Sequence, residues 1–403
     1  MSTLRTTLIV LVILFSFGLN QQSTAMPNFA RKYNMSCSGC HNGIPRLNEN
    51  GFKFRAAGFR MPDEIGKGET STNVGDYIAA RTQVRADWKQ TEAPSGAVTT
   101  NTKQLTFHEF TFYPITGAFA KSYSSLVELS FLSDESAEVE NAYVRYDNGD
   151  EKSFFSLRAG VFHPFEGYGA SDRPLTLSRP LIQTAKAATS VFTPWNFDEV
   201  GVEVGYDVEN TSIRGTAFNG LTSSAEPAQG GGLTKTPGSP SYNNKDFQVF
   251  ATQRLTDNGG GLSGYFYAGW LDQSATRQNA FQRYAVYASY PVEKALFLGG
   301  LQAGKDQFTD TVKATIPDVS NTGFFGEADY NVSEPLWLGV RYDRFDPSTD
   351  VNDNEVQAVT GFANYSLDNG LQFIGEYQYK NSKKGASGSQ KDNALQLRMI
   401  FIY

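Results

Sequence analysis

Residues 77–88 have the sequence YIAARTQVRADW. Successive side chains of an extended strand point to opposite faces, so Ile78, Val84 and Trp88 share one face. The charged positions fall on the other face: Arg81, Arg85 and Asp87. This division is typical of the wall of a membrane barrel, in which one face meets lipid and the other meets a wet lumen.

The same short alternation recurs along the chain, and no long helical period follows Val74. It is found in residues 155–161, 202–206, 247–251, 284–290, 338–342 and 371–379. Residues 395–403 end the chain with an apolar residue at every second position up to a terminal tyrosine. This ending resembles the C-terminal recognition signal of bacterial outer-membrane barrels.

The connections between these stretches fall into two classes. Short, turn-like connections are found at residues 147–150, 257–260, 291–294, 332–335 and 367–370. They alternate with longer polar ones at residues 91–103, 163–198, 220–243, 304–322, 346–355 and 381–391. Short turns at one end and long loops at the other are typical of outer-membrane barrels. We therefore predict an all-β, antiparallel transmembrane barrel of about sixteen strands over residues 71–403, with both termini in the periplasm. A secreted β-sandwich with the same alternation is the alternative.

The composition excludes several other classes of protein. The mean hydropathy of −0.38 is too low for a bundle of membrane-spanning helices. The 35 basic and 42 acidic side chains leave a net charge of −7, which argues against nucleic acid as a partner. Two cysteines are too few for a disulfide-dense scaffold or a four-thiolate metal site.

Residues 1–25 have the features of a secretory signal peptide. Arg5 precedes an apolar run over residues 8–19, and the small residues Ser23 and Ala25 suit cleavage after Ala25. The alternative, a membrane anchor, needs about 20 apolar residues, more than this run provides. A signal followed by a barrel indicates a multi-pass protein in contact with outer-membrane lipid.

Residues 26–70 form a small basic segment ahead of the acidic barrel region. They carry seven basic and four acidic side chains, a change in composition that places a domain boundary near Thr70. Phe29 and Tyr33 at helical spacing, and residues 51–59, indicate two short helices. So small a segment cannot readily bury a cofactor alone, so we expect it to enter the barrel lumen as a plug. Its positive charge would then meet inward carboxylates such as Glu128, Glu203 and Glu376.

Both cysteines of the chain lie in the sequence CSGCH, as Cys37 and Cys40 followed by His41. This is the attachment pattern of c-type haem, in which two thiols bind the porphyrin and the histidine ligates the iron. A thioredoxin-like pair would need a surrounding βαβ unit, and zinc would need further ligands nearby. A structural disulfide would not explain the adjacent histidine. The sequence therefore predicts a monohaem cytochrome c domain with one covalent haem c.

The CSGCH sequence supplies one ligand for the iron and leaves the second to be identified. Met61 follows a phenylalanine-rich stretch, and its thioether would raise the reduction potential. Met61 is therefore our candidate for the distal ligand, with ordinary packing as the alternative. Other options are Met26, Met35, His108, His163 or an open, water-ligated iron.

The sequence resembles the fused monohaem cytochrome–porin family of outer-membrane iron oxidases from iron-oxidising bacteria. The resemblance is strongest over residues 26–60, and elsewhere it extends only to the architecture. It rests on Pro27, Phe29, Ala30, Arg31, Tyr33, Cys37, Cys40, His41, Pro45, Leu47, Gly51, Phe54 and Gly58.

The resemblance implies an oxidoreductase that oxidises extracellular Fe(II) and passes electrons to a periplasmic c-type cytochrome or another carrier. Cys37, Cys40 and His41 carry over as haem-binding residues, and Met61 only as a candidate. Outer-sphere electron transfer needs no acid, base or nucleophile, so no catalytic residue is assigned. Two alternatives stay open: outward electron transfer to minerals or other acceptors, and a haem-bearing porin with a transport role.

Overall fold

The computed structural model describes residues 27–67, 71–133, 136–163, 175–187, 199–219, 245–272, 277–310, 317–367 and 370–403. The predicted signal peptide and the predicted boundary at Thr70 lie outside these residues. Among the described residues, no helix is long and apolar enough to cross a membrane.

Sixteen strands form one closed antiparallel barrel, in which every strand pairs with its neighbours in sequence and β1 pairs with β16. Their bounds are β1 Ala79–Glu92, β2 Val98–Ala118, β3 Tyr123–Leu132, β4 Ala137–Gly149, β5 Ser153–Phe162, β6 Glu199–Val208, β7 Thr211–Phe218, β8 Asp246–Arg254, β9 Gly261–Asp272, β10 Arg277–Val292, β11 Ala295–Asp310, β12 Val319–Ser333, β13 Leu336–Asp346, β14 Val356–Ser366, β15 Leu371–Lys383 and β16 Ser389–Ile402. The predicted strand number is confirmed.

Among the described residues, helical structure is confined to short elements. The α-helices are α1 Pro27–Tyr33, α2 Glu49–Ala56 and α3 Leu181–Thr184, and the 3-10 helices are Cys37–Gly39, Pro62–Glu64 and Val74–Asp76. In α2, the side chain of Asn48 accepts a hydrogen bond from Gly51 N at 3.0 Å and caps the first turn.

The seven connections at one end of the barrel are short: residues 119–122, 150–152, 209–210, 255–260, 293–294, 334–335 and 367–370. We call this the short-turn end. The loops predicted at residues 91–103 and 304–322 are shorter in the structure. β1 continues to Glu92, β2 begins at Val98, and β11 continues to Asp310. The part of a strand that projects beyond the lipid needs no apolar face. Strand pairing can therefore continue beyond the stretch in which apolar residues alternate.

The two faces of the wall differ as the alternation requires. Outward apolar side chains such as Val204, Val286 and Leu301 are exposed, which suits contact with lipid. Inward positions carry paired charges: Arg214 Nη2 lies 2.6 Å from Asp207 Oδ2, and Arg283 Nη2 lies 2.8 Å from Asp306 Oδ2.

These inward charges are buried, although a water-filled channel would leave them exposed. Arg283 is 1% exposed and Asp306 0%. Protein also covers part of the inner wall, where residues 175–187, which we call the inner strap, lie against β13 and β15. Arg341 Nη1 donates to Thr176 Oγ1 at 2.8 Å, and Glu376 Oε2 accepts from Leu177 N at 2.7 Å. Protein therefore fills much of the described interior.

Because the interior is packed, the protein in a planar lipid bilayer is expected to show no stable water-filled conductance. Deleting the inner strap shortens the connection between β5 and β6 but leaves every strand intact, so the deleted form should conduct more ions. Single-channel recording checks both forms. An open channel in the intact protein would contradict the packed interior.

Candidate cofactor site

The N-terminal segment, residues 27–67, contacts the inner wall near β1–β4. Asn28 Nδ2 donates to Thr116 O at 3.2 Å, and Arg60 Nη2 lies 3.5 Å from Asp147 Oδ2. Arg145 also donates to Ala56 O from the wall. These contacts hold the segment against the inside of the barrel.

A second set of contacts reaches the opposite part of the wall. Arg254 Nε lies 2.9 Å from Glu49 Oε1, and Asn364 Nδ2 donates to Ile44 O at 2.9 Å. Arg254 ends β8 and Asn364 lies close to the end of β14, so both partners belong to the short-turn end. The segment therefore lies across the short-turn end of the lumen.

The prediction that Glu128, Glu203 and Glu376 contact this segment is wrong. Glu128 and Glu203 bond to wall residues, Tyr113 and Arg158, each at 2.7 Å, and Glu376 bonds to the inner strap. Among the described residues, Asp147 is a wall carboxylate that pairs with the segment. Alternation shows that a carboxylate points inward, but it does not show its height in the barrel.

The two cysteines lie on a tight turn. The 3-10 helix Cys37–Gly39 turns the chain, with Cys40 N donating to Cys37 O at 3.1 Å and His41 N donating to the same oxygen at 3.0 Å. Cys37 is buried and Cys40 half-buried, and no disulfide joins them. Burial raises the pKa of the Cys40 thiol, which keeps it protonated at neutral pH.

The ring of His41 is oriented by the backbone. His41 Nδ1 lies 3.1 Å from Pro45 O, and because a carbonyl only accepts, Nδ1 carries the proton. The neutral ring then has its lone pair on Nε2, the arrangement that an iron-ligating histidine requires.

A cavity that is partly open to solvent lies beside this turn; the empty space between its lining atoms, part of it open solvent, is about 1020 Å³. It is lined by Phe29, Ala30, Tyr33, Met35, Ser36, Cys37, Cys40, His41, Ile44, Pro45, Leu47, Gly51, Phe54, Arg55, Phe59, Met61, Arg81, Tyr113 and Ile402. The structure thus brings all four predicted site residues, Cys37, Cys40, His41 and Met61, to one cavity.

Aromatic rings form much of the apolar wall of the cavity. The Phe29 ring centroid lies 5.0 Å from that of Phe54 and 5.5 Å from that of Phe59, and the Tyr33 centroid lies 5.5 Å from that of Phe54. Such a wall suits a flat, largely apolar ligand such as a porphyrin.

Met61 is held in place by Glu64. The carboxylate oxygen Oε2 of Glu64 accepts from Met61 N at 3.0 Å and from the Tyr33 hydroxyl at 2.7 Å. Burial and this hydrogen bond raise the pKa of Tyr33, so the hydroxyl keeps its proton and remains a donor. Of the alternative ligands, Met35 also lines the cavity, His108 and His163 do not, and Met26 lies outside the described residues.

The barrel contributes three lining residues that the sequence did not identify as site residues: Arg81, Tyr113 and Ile402. Arg81 Nη2 lies 2.6 Å from Glu109 Oε1, whereas its Nε is buried with no hydrogen-bond partner among the described residues. A carboxylate of a bound haem would supply an acceptor for that N–H. Alternation had placed Arg81 on the lumen face, but it could not show which ligand it meets.

The residues present therefore fit a c-type haem. Two thiols at the right spacing, an oriented histidine, a thioether and an unpaired guanidinium N–H surround one aromatic-walled cavity. Among the described residues, no group of three or more His, Cys, Asp or Glu side chains is placed to hold a metal ion by itself.

Comparison with known proteins defines the fold. No protein-family model and no curated protein matches the chain. Among solved structures, the outer-membrane channel DcaP of Acinetobacter baumannii is similar with a TM-score of 0.58 and 13% identity, covering 83% of this chain and 99% of that one. An anion-selective porin from Comamonas acidovorans gives a TM-score of 0.55 and 10% identity over 80% and 99% of the two chains.

A loop-deletion mutant of OmpT, an outer membrane protein of Vibrio cholerae, gives a TM-score of 0.53 and 11% identity over 81% of this chain and 99% of that one. At these identities the likeness shows the fold, a porin-like barrel, and this fold supports an outer-membrane location.

Gly51 packs directly against the cysteine turn. A Cβ added there would lie 2.2 Å from Cys40 O and 2.9 Å from a methyl of Leu47. Because a backbone oxygen cannot move cheaply, Gly51→Ala should push α2 away from the turn and expose Cys37. In protein produced without haem, the rate of Cys37 alkylation by a maleimide should rise several-fold.

The matched control is Gly215→Ala on β7, where an added Cβ meets no atom within 4 Å. Alkylation of this variant should match the parent protein. Equal rates for Gly51→Ala and the parent would show that the contact does not hold the turn.

Proposed function

We propose that this protein is an outer-membrane monohaem cytochrome that oxidises extracellular Fe(II) and delivers the electrons to a periplasmic carrier. The supporting observation is the meeting of Cys37, Cys40, His41 and Met61 at one aromatic-walled cavity. Bound haem would supply a one-electron iron couple at this position.

Each residue of the site has a defined role in this proposal. Cys37 and Cys40 would hold the porphyrin through thioether bonds, and His41 and Met61 would be the iron ligands. Arg81 would pair with a haem carboxylate through its unsatisfied Nε–H. The aromatic wall would shield the iron from water, which favours the less charged ferrous state and so raises the reduction potential.

The membrane setting explains why one chain would combine a barrel with a cytochrome. The hydrocarbon core of a bilayer is about 30 Å thick and admits no free charge. The barrel would hold the redox site within this layer, at the short-turn end of the lumen, with that end and both termini in the periplasm. One electron leaves Fe(II) outside, giving Fe(III), and one electron reduces the carrier inside.

An acidic barrel would favour the approach of Fe(II). The chain has a net charge of −7, although residues 26–70 carry an excess of basic side chains. The excess of acidic residues therefore belongs to the barrel and its loops. A negative potential at the outer mouth concentrates a divalent cation and speeds its arrival.

The packed interior argues against the transport alternative. Inward charges that would line a solute channel are paired and buried, as in the Arg283–Asp306 pair. Electron flow in the outward direction uses the same architecture, and the reduction potential distinguishes it from Fe(II) oxidation.

Anaerobic mixing with Fe(II) tests the proposal. The purified, haem-loaded protein should develop the absorption bands of a ferrous c-type haem, because Fe(II) donates one electron to the site. A Cys37→Ser, Cys40→Ser double variant should show no such bands. Reduction by dithionite but not by excess Fe(II) would refute the iron-oxidase assignment.

Replacement of Met61 tests the distal ligand. Met61→Ala removes a thioether that favours ferrous iron, so the reduction potential should fall. Met35→Ala is the matched control, since Met35 lines the same cavity, and it should leave the potential nearly unchanged. A spectroelectrochemical titration measures both; equal potentials in the parent and Met61→Ala would exclude Met61 as the ligand.

A further inference from the structure

Two barrel side chains form hydrogen bonds with the backbone of the loop that follows the cysteine turn. Asn364 of β14 donates from Nδ2 to Ile44 O at 2.9 Å, and Gln372 of β15 donates from Nε2 to the same oxygen at 2.5 Å. One carbonyl of the N-terminal segment is thus held by two amides from adjacent strands, far away in sequence.

The two amides are fixed by further bonds. Gln372 Nε2 also donates to Asn364 Oδ1 at 3.0 Å, and Ser366 Oγ donates to the same oxygen at 2.7 Å. Asn364 is 0% exposed and Gln372 3%. Because its oxygen accepts two bonds, the amide of Asn364 can present only its N–H groups to Ile44 O, so the arrangement cannot readily relax.

The neighbouring residue is also held against the wall. Gly43 has φ +77°, and a Cβ there would lie 2.8 Å from Cδ1 of Trp337 on β13 and 3.1 Å from a methyl of Leu175 in the inner strap. The loop at residues 43–44 therefore lies between three adjacent strands and the inner strap.

The carbonyl group of Ile44 is one residue away from the carbonyl group of Pro45, which orients His41. Ile44 precedes Pro45, whose carbonyl accepts from His41 Nδ1 at 3.1 Å. Movement of Ile44 would therefore move Pro45 O and change this hydrogen bond. The strength of such a bond sets the ring orientation and the basicity of a metal-bound imidazole.

We propose that Asn364 and Gln372 are positioning residues for the axial histidine, through which the barrel wall tunes the haem iron. They act through Ile44 and Pro45 and touch neither His41 nor the cofactor in the described contacts. This inference rests on the proposed function, because His41 has an axial role only when haem is attached.

The test compares Asn364→Leu and Gln372→Leu with the parent protein, all haem-loaded and in detergent. Loss of either hydrogen bond to Ile44 O should weaken the bond from His41 Nδ1 to Pro45 O. The imidazole would then donate less electron density to the iron, which favours the ferrous state. The expected change is about a tenfold shift of the ferrous–ferric equilibrium, a rise of 59 mV for a one-electron couple. The electron paramagnetic resonance of the ferric form should broaden.

Asn321→Leu is the matched control. Asn321 is a buried wall amide on β12, 1% exposed, which bonds Gln302 at 2.9 Å and Asp306 at 3.0 Å within the wall. Its loss perturbs the barrel but not the loop, so the potential should be unchanged. Asn364→Asp is a nearly isosteric second variant, which retains the side-chain shape and removes the donor if the leucine variant does not fold.

A raised potential in the Asn364 and Gln372 variants alone supports the proposal. An unchanged potential and spectrum in folded variants, or an equal shift in Asn321→Leu, overturns it while leaving the cytochrome assignment intact. A parent protein that takes up no haem would instead overturn the proposed function itself, and the positioning role with it.

Discussion

Inside a bilayer every backbone N–H and C=O must find its partner within the protein, and this constraint shapes the whole structure. The strands meet it because the last one, β16, pairs with the first, β1, so that no edge is left. Closure creates an interior, and here protein fills much of the described interior. The N-terminal segment crosses the short-turn end, the inner strap lies along the wall, and paired charges such as Arg214 with Asp207 satisfy one another.

Closure of the barrel also compensates for the small size of the N-terminal segment. The N-terminal segment is too short to form a core around a large cofactor on its own. The barrel supplies what is missing: Arg81, Tyr113 and Ile402 complete the cavity, and Asn364 and Gln372 hold the loop after the cysteine turn. The N-terminal segment and the barrel therefore share one site, and the properties of that site depend on both.

Much of this could be predicted from the sequence, for local reasons. Alternation with a period of two residues indicated the strands, turn residues indicated the short-turn end, and the spacing of Cys37, Cys40 and His41 indicated a candidate site at the cysteine turn. What could not be predicted depends on contacts distant in sequence. Pairing of β1 with β2 continues beyond their stretch of alternating apolar residues. Glu128 points inward but bonds to Tyr113 of the wall. Arg81 and Asn364 look like any other inward polar residues until register and height place them beside the cavity.

Register gives one feature of the cavity a particular meaning. Arg81 and Ile402 face each other across the seam between the first and last strands, and both line the cavity. The pocket is thus completed by β16, the strand whose pairing with β1 closes the barrel. The cysteine turn and this part of the wall are far apart in sequence, so the pocket is complete only when the barrel has closed. A barrel in which β16 had not yet paired with β1 would have the cysteine turn but lack one side of its enclosure.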